Sequence, residues 1–177
     1  ASAAIAAKGL HLGALPGESA MDENALGEAW ADLGASFFAH VSSDRMSFSL
    51  RSLTEADLLA QAVQLASRQL AEPAFAAEVW QRERETLQAS IREANTRPAT
   101  LAGRALTQAV YGPHPYGFET TEASLQRIEV HHMAAWYRQL ILPCRAKVSV
   151  VGAVNRAQAD ALVAQLLGRL VAQSGAR

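Results

Sequence analysis

Cysteine is nearly absent. Cys144 stands alone in 177 residues, so the chain can close no internal disulfide and build no cysteine-based zinc knuckle. It follows Pro143 just before an apolar run, with no activating base in view, and reads as a small packed side chain rather than a nucleophile. Lysine is almost as scarce. Of 16 basic residues only Lys8 and Lys147 are lysines, which reads as a composition bias favouring arginine. The net charge is −1 and the pI about 6.6, so no electrostatic case exists for a nucleic-acid partner. No apolar run approaches the roughly 20 residues that span a membrane. There are no internal repeats and no low-complexity linkers. The first residue is not Met, and the opening ASAAIAAKGL lacks a basic start followed by an apolar stretch. It is no intact signal peptide and reads as a mature or excised piece.

Catalytic constellations are missing too. A zinc site on one helix wants two histidines four residues apart with a carboxylate placed for proton transfer. His11, His40, His114, His131 and His132 include no such pair, and neither His-Glu-x-x-His nor its inverse His-x-x-Glu-His occurs. His131 and His132 are adjacent, so on a helix they diverge by about 100° and do not chelate together. They read as surface or hydrogen-bonded histidines. No Gly-x-Ser-x-Gly elbow and no phosphate-cradling glycine loop is present. Glu83 and Glu85 sit among arginines that would neutralise them.

What is present is a run of helices interrupted by one hairpin. The alanine-rich segment 1–13 has helix composition ending at a glycine. Ser19 and Asp22 have the spacing of a capping box for a helix over about 20–33, closed by Gly34. Met46, Phe48 and Leu50 alternate with Ser47, Ser49 and Arg51, the period of a strand with one buried face, and residues 42–45 supply a turn. Thr54 and Asp57 form a second capping-box pattern, for a helix through Leu70 that Pro73 ends. Over 75–96 a long charged helix carries Val79, Trp80, Leu87 and Ile91 as an apolar stripe, with Glu78 and Arg82 as an i,i+4 pair. Pro98 opens the next helix, to about Val110. Residues 111–121 are dense in aromatics and proline and read as a fixed surface feature. Helices over 122–127 and 130–142, a strand over 146–151, and a last helix over 156–170 capped by Asn155 complete the chain. The class is α+β in a single domain.

The chain resembles the pitrilysin/insulinase family of zinc metallopeptidases, which includes the mitochondrial processing peptidases and cytochrome bc1 core proteins. Its likeness is carried by Leu33-Gly34-Ala35 leading into a hairpin with Ser43-Asp44, then by Leu70-Ala71-Glu72-Pro73-Ala74-Phe75 and Glu83-Arg84. Further on come Tyr111-Gly112-Pro113-His114-Pro115-Tyr116-Gly117 and Val150-Val151-Gly152-Ala153-Val154-Asn155. The resemblance implies a metallohydrolase-like domain, an antiparallel-rich mixed sheet packed against helices. It implies that 1–177 is one such domain, a fragment of a longer chain lacking its first strands and its second domain.

Active members hold zinc with His-x-x-Glu-His and a glutamate from the long helix. In register, the two ligand histidines fall on Lys8 and Leu12, the general base on His11 and the third ligand on Ser90, while the supporting acid survives as Glu83. An ammonium and an aliphatic chain do not hold a dication, so no zinc or other cofactor is expected. The substrate-holding edge strand, usually Asn-Ala, reads Phe38-Ala39 here, followed by His40. The expectation is a catalytically silent member, a partner half of a peptide-processing assembly. Its partner would be an active zinc-peptidase subunit of the family or a second copy. Two other readings stay open: an active zinc endopeptidase with a non-standard metal site, and a structural core-type assembly protein. Bacterial relatives are often exported, which points to the periplasm ahead of the cytoplasm.

Overall fold

The computed structural model describes residues 21–175. Within them α1 (Glu23–Asp32) leads into a hairpin of β1 (Ser36–Val41) and β2 (Met46–Arg51), followed by α2 (Ala56–Ala71), α3 (Ala77–Ala94) and α4 (Pro98–Tyr111). A single 3-10 turn (Pro115–Gly117), α5 (Glu122–Gln126), α6 (Val130–Leu140), a second 3-10 turn (Pro143–Arg145) and α7 (Arg156–Ser174) follow. The helical segment expected over 1–13 and the Ser19 cap lie outside the described residues.

The hairpin pairs antiparallel from Ser36↔Arg51 to Val41↔Met46. Alternation then puts Phe37 and Ala39 on one face with Phe48 and Leu50, and Phe38 and His40 on the other. The first face meets two clusters. In one, Leu26, Trp30 and Phe37 pack with Ala62, Ala66 and Leu70 of α2. In the other, Phe75 and Trp80 pack with Leu125, Met133 and Tyr137. Phe48 touches both, so the strand face joins the two halves of the core.

Three aromatic side chains are buried with their polar ends satisfied. Trp30 Nε1 donates to Gln69 Oε1 at 3.1 Å, Trp80 Nε1 to the Ile128 carbonyl at 3.0 Å, and the Tyr137 hydroxyl to the Leu70 carbonyl at 2.8 Å. Leu70 lies in the last turn of α2, where carbonyls lack a helical partner, so Tyr137 meets a need that the helix end creates.

The predicted stripe on α3 is present. Val79 and Trp80 are buried and Leu87 and Ile91 are packed against the same cluster. The expected Glu78–Arg82 pair is replaced, because Arg82 reaches across to Glu23 of α1 at 2.7 Å. Of the two caps expected within the described residues, one holds. Asn155 accepts from the Gln158 N–H at 2.9 Å, and Gln158 Oε1 accepts in return from the Asn155 N–H. For α1 the cap is Asp22, which accepts from Ala25 N–H. The second capping box fails: Glu55, not Thr54, is the residue ahead of α2, and its side chain makes no capping bond.

The α+β class stands, but the sheet among the described residues is two-stranded. Residues 146–151 are not a strand. Their valine alternation is real, yet a strand needs a neighbour for its N–H and C=O groups. Among the described residues no backbone hydrogen bond engages 147–154, and Val151 is 97% exposed. Cys144 is likewise exposed instead of packed, because Pro143 places it on a 3-10 turn.

Tyr137→Phe removes the donor to Leu70 and leaves that carbonyl buried and unpaired, at a cost of about 1–3 kcal/mol in urea unfolding at neutral pH. Burial also pushes the Tyr137 phenol well up from its ordinary value. Its contribution is complete below the unfolded value, about 10, and is lost as pH rises beyond it. Wild type should therefore lose stability more steeply than the variant above that pH.

Candidate functional site

The positions at which the resemblance places metal chemistry divide between described and undescribed residues. Lys8, His11 and Leu12 lie outside the description. Glu83 and Ser90 both sit on α3, seven residues apart, and so share one face about 10 Å apart along the axis. Glu83 is half-buried and Ser90 exposed. Among the described residues no three His, Cys, Asp or Glu side chains gather as a metal-holding group.

The scaffold under these positions is firmly tied. Besides Arg82–Glu23, Arg92 of α3 bonds Glu122 of α5 at 2.8 Å. Both are solvent-facing ion pairs, each contributing at most about 1 kcal/mol. Trp80 does more, anchoring the first half of α3 through its buried ring and its bond to Ile128.

The hairpin separates the three residues expected to touch substrate. Phe38, 50% exposed, and His40 lie on the outward face, while Ala39 packs against the core cluster. At the hairpin's tip, Ser42 N–H donates to the Arg45 carbonyl at 2.9 Å. Asp44 in that turn accepts a hydrogen bond from the Tyr116 hydroxyl. That bond raises the Tyr116 phenol above its ordinary value and fastens residues 111–121 to the hairpin.

The 111–121 segment is the fixed feature that its composition suggests. Tyr111, His114 and Tyr116 meet edge-on or tilted, with ring centroids 4.6–6.3 Å apart. His114 Nδ1 accepts from the Tyr116 N–H at 3.2 Å. Gly112 turns with φ +50°, and a Cβ on Gly117 would lie 2.9 Å from the Gly112 carbonyl oxygen. Only glycine allows that approach. His132 is also spent on structure: its Nδ1 accepts from the Glu129 N–H at 3.0 Å, and its ring lies 3.9 Å from that of His131.

Sequence reasoning missed one feature. A groove of about 440 Å³ opens between the start of β2 and the extended residues 146–148. Its floor is apolar, with Leu70 of α2, Leu140 of α6 and Leu166 and Leu170 of α7. Alternate residues of β2 direct their N–H and C=O groups away from β1. One wall is therefore strand backbone, and the other begins at Ala146 in an extended conformation. The alternating valines of 146–151 were the available signal, read only as a strand and not as one wall of a slot.

The model of the insulinase family, peptidase family M16, matches residues 14–124. No curated protein matches the chain. Among solved structures, the peptidase M16 inactive domain from Pseudomonas fluorescens superposes with a TM-score of 0.79 at 24% identity, covering 94% of this chain and 40% of that one. A conserved protein from Enterococcus faecalis V583 gives 0.71 at 26% identity, over 93% and 42%. Pitrilysin gives 0.72 at 18% identity, over 96% of this chain and 18% of its own. The chain thus spans about two fifths of the first two proteins and less than a fifth of the third.

Gly117→Ala should open the 111–121 segment, because its new methyl meets backbone and not a movable side chain. Limited proteolysis should cut there several-fold faster than in wild type. Tyr116→Phe, which loses only the exposed bond to Asp44, should accelerate cutting less.

Proposed function

The chain belongs to the insulinase family, peptidase family M16, and from that premise we propose that it is a catalytically silent half of a peptide-processing assembly. The carrying observation is the donor set. In family register, Lys8, Leu12 and Ser90 stand where three zinc ligands belong. Lys8 brings positive charge to a cation's position, Leu12 has no lone pair, and one serine hydroxyl is a poor ligand for Zn²⁺. These residues do not fit the metal, so no hydrolytic step is assigned to them. The likeness of the fold to a domain described as the inactive one of its family supports the same reading.

A silent half contributes wall and grip. Phe38 and His40, on the outward face of β1, are the proposed peptide contacts, and Ala39 holds the strand to the core between them. An active zinc-peptidase subunit of the same family is the proposed partner. The chain is further proposed to be part of a longer polypeptide, whose additional strands would lie in the groove between β2 and 146–151. Two observations support this: backbone on one wall that has no backbone hydrogen-bonding partner among the described residues, and an outward strand edge on the other. Among the described residues no helix is long and apolar enough to cross a membrane.

The test is metal analysis with a peptidase assay. After dialysis against equimolar zinc, the purified chain should retain far less than one ion per molecule and cleave no peptide. Mixed with a family member that has an intact His-x-x-Glu-His, it should raise cleavage, and Phe38→Ala should reduce that gain several-fold. Stoichiometric zinc that disappears when the histidines are replaced would overturn the proposal in favour of an active enzyme. A stable partner with no effect on proteolysis would overturn it in favour of a structural subunit.

A further inference from the structure

The groove between β2 and residues 146–148 is one-sided in charge. Arg45 stands just ahead of β2, Arg145 and Lys147 stand on the opposite wall, and no Asp or Glu lines it. The whole chain has 17 acidic residues against 16 basic ones, so this imbalance is local and does not follow from composition. All three cations are exposed, and among the described residues none of them takes part in an ion pair. The carboxylate next to them in sequence, Asp44, is engaged by the Tyr116 hydroxyl. Leu101, Leu106 and Val110 of α4 leave a second apolar surface exposed. The one charged residue of that helix, Arg104, is already held by Glu119 at 3.1 Å, so only the groove combines apolar surface with unanswered charge.

The register of β2 fixes which groups an occupant meets. Ser42 N–H donates to the Arg45 carbonyl, so these two residues form a hydrogen-bonded pair. Such pairs alternate along an antiparallel ladder, which makes Val41↔Met46 and Ala39↔Phe48 the pairs without hydrogen bonds. The N–H and C=O groups of Met46 and Phe48 therefore point away from β1, on the side where the groove lies. Side chains alternate as well. Met46 and Phe48 pack toward the core, which leaves Arg45 and Ser47 on the other face. A strand laid against β2 repeats that alternation. Its residues level with Met46 and Phe48 look down on the leucine floor, and those between them lie on the face of Arg45.

We propose that the groove takes an extended segment in which apolar and acidic residues alternate, added to the free edge of β2 with its carboxylates toward Arg45, Arg145 and Lys147. The inference rests on the reading of the chain as part of a longer polypeptide, from which this segment comes, and adds the chemistry of the segment.

Each demand removes a class of occupant. Backbone groups in series call for an extended chain, and the leucine floor calls for an apolar side chain at every second position. Exposed ion pairs are individually weak, so the cations select among strands more than they hold one. A basic segment would set like charge against all three. A nucleic acid would meet the cations but leave the floor and the edge of β2 unused.

Fluorescence anisotropy of short labelled peptides titrated with the whole chain tests this at low ionic strength. A peptide alternating valine and glutamate should bind about tenfold tighter than its valine–glutamine counterpart, and a valine–lysine peptide should bind weakest. Salt at about 0.5 M should narrow these gaps. Arg145→Glu combined with Lys147→Glu, both at exposed positions, should reverse the order with the circular dichroism spectrum unchanged. N-methylation of alternate residues, which removes the donors to the edge of β2, should abolish binding. Equal binding of the glutamate and glutamine peptides would overturn the acidic preference while leaving the groove a site for a strand. Failure of every peptide to bind would overturn the strand-filled groove and the inference with it. Binding that survives N-methylation, or that a single-stranded oligonucleotide matches, would overturn it in favour of unspecific attraction of polyanions.

Discussion

The chain reversal between α2 and α3 is the constraint on which the rest depends. Phe75 sits there with φ +48°, a left-handed conformation that a bulky residue avoids, and such strain costs on the order of 1–3 kcal/mol. Its ring is 5% exposed and meets Tyr137 edge-on at 5.9 Å, a burial contributing about 1.5–3 kcal/mol. The Tyr137 hydroxyl in turn closes the end of α2 through Leu70. One aromatic pair thus offsets the turn's strain, satisfies a helix terminus and fixes the direction in which α3 leaves.

That direction decides what α3 can offer. Its first half is pinned by Val79 and Trp80, and its second carries Ser90 outward on a helix braced by Arg92 and Glu122. If the chain is a silent half, the change lies in donor atoms and not in scaffold. Ser90 is exposed on a helix held from below, so a change of side chain there leaves the packing beneath it untouched. A family can in this way lose chemistry while keeping the shape that a partner recognises.

Much of this fold was legible in the residues. Met46, Phe48 and Leu50 alternate because one face of the hairpin is buried, and Val79, Trp80, Leu87 and Ile91 recur because α3 lies on a core. Burial leaves a period, and a period can be read. Pairing leaves none. The valines of 146–151 have the right alternation, but whether a neighbour stands beside them is not a local property. Arg82 likewise has Glu78 four residues away and chooses Glu23, 59 residues away, because tertiary packing brings that carboxylate nearer. Of the positions at which the resemblance places the candidate site, only Ser90 and Glu83 fall among the described residues. For α4 the sequence gives a helix opened by Pro98 but not which face turns inward, which the Arg104–Glu119 pair marks.

The two unfilled surfaces make different physical demands, and this separates their occupants. Along the groove, backbone N–H and C=O groups have no backbone partner among the described residues, and it is another extended chain that can satisfy such groups in series. On α4 every backbone group in the helix interior is already bonded, so what remains there is side-chain shape. A strand cannot meet the second demand and a helix cannot meet the first.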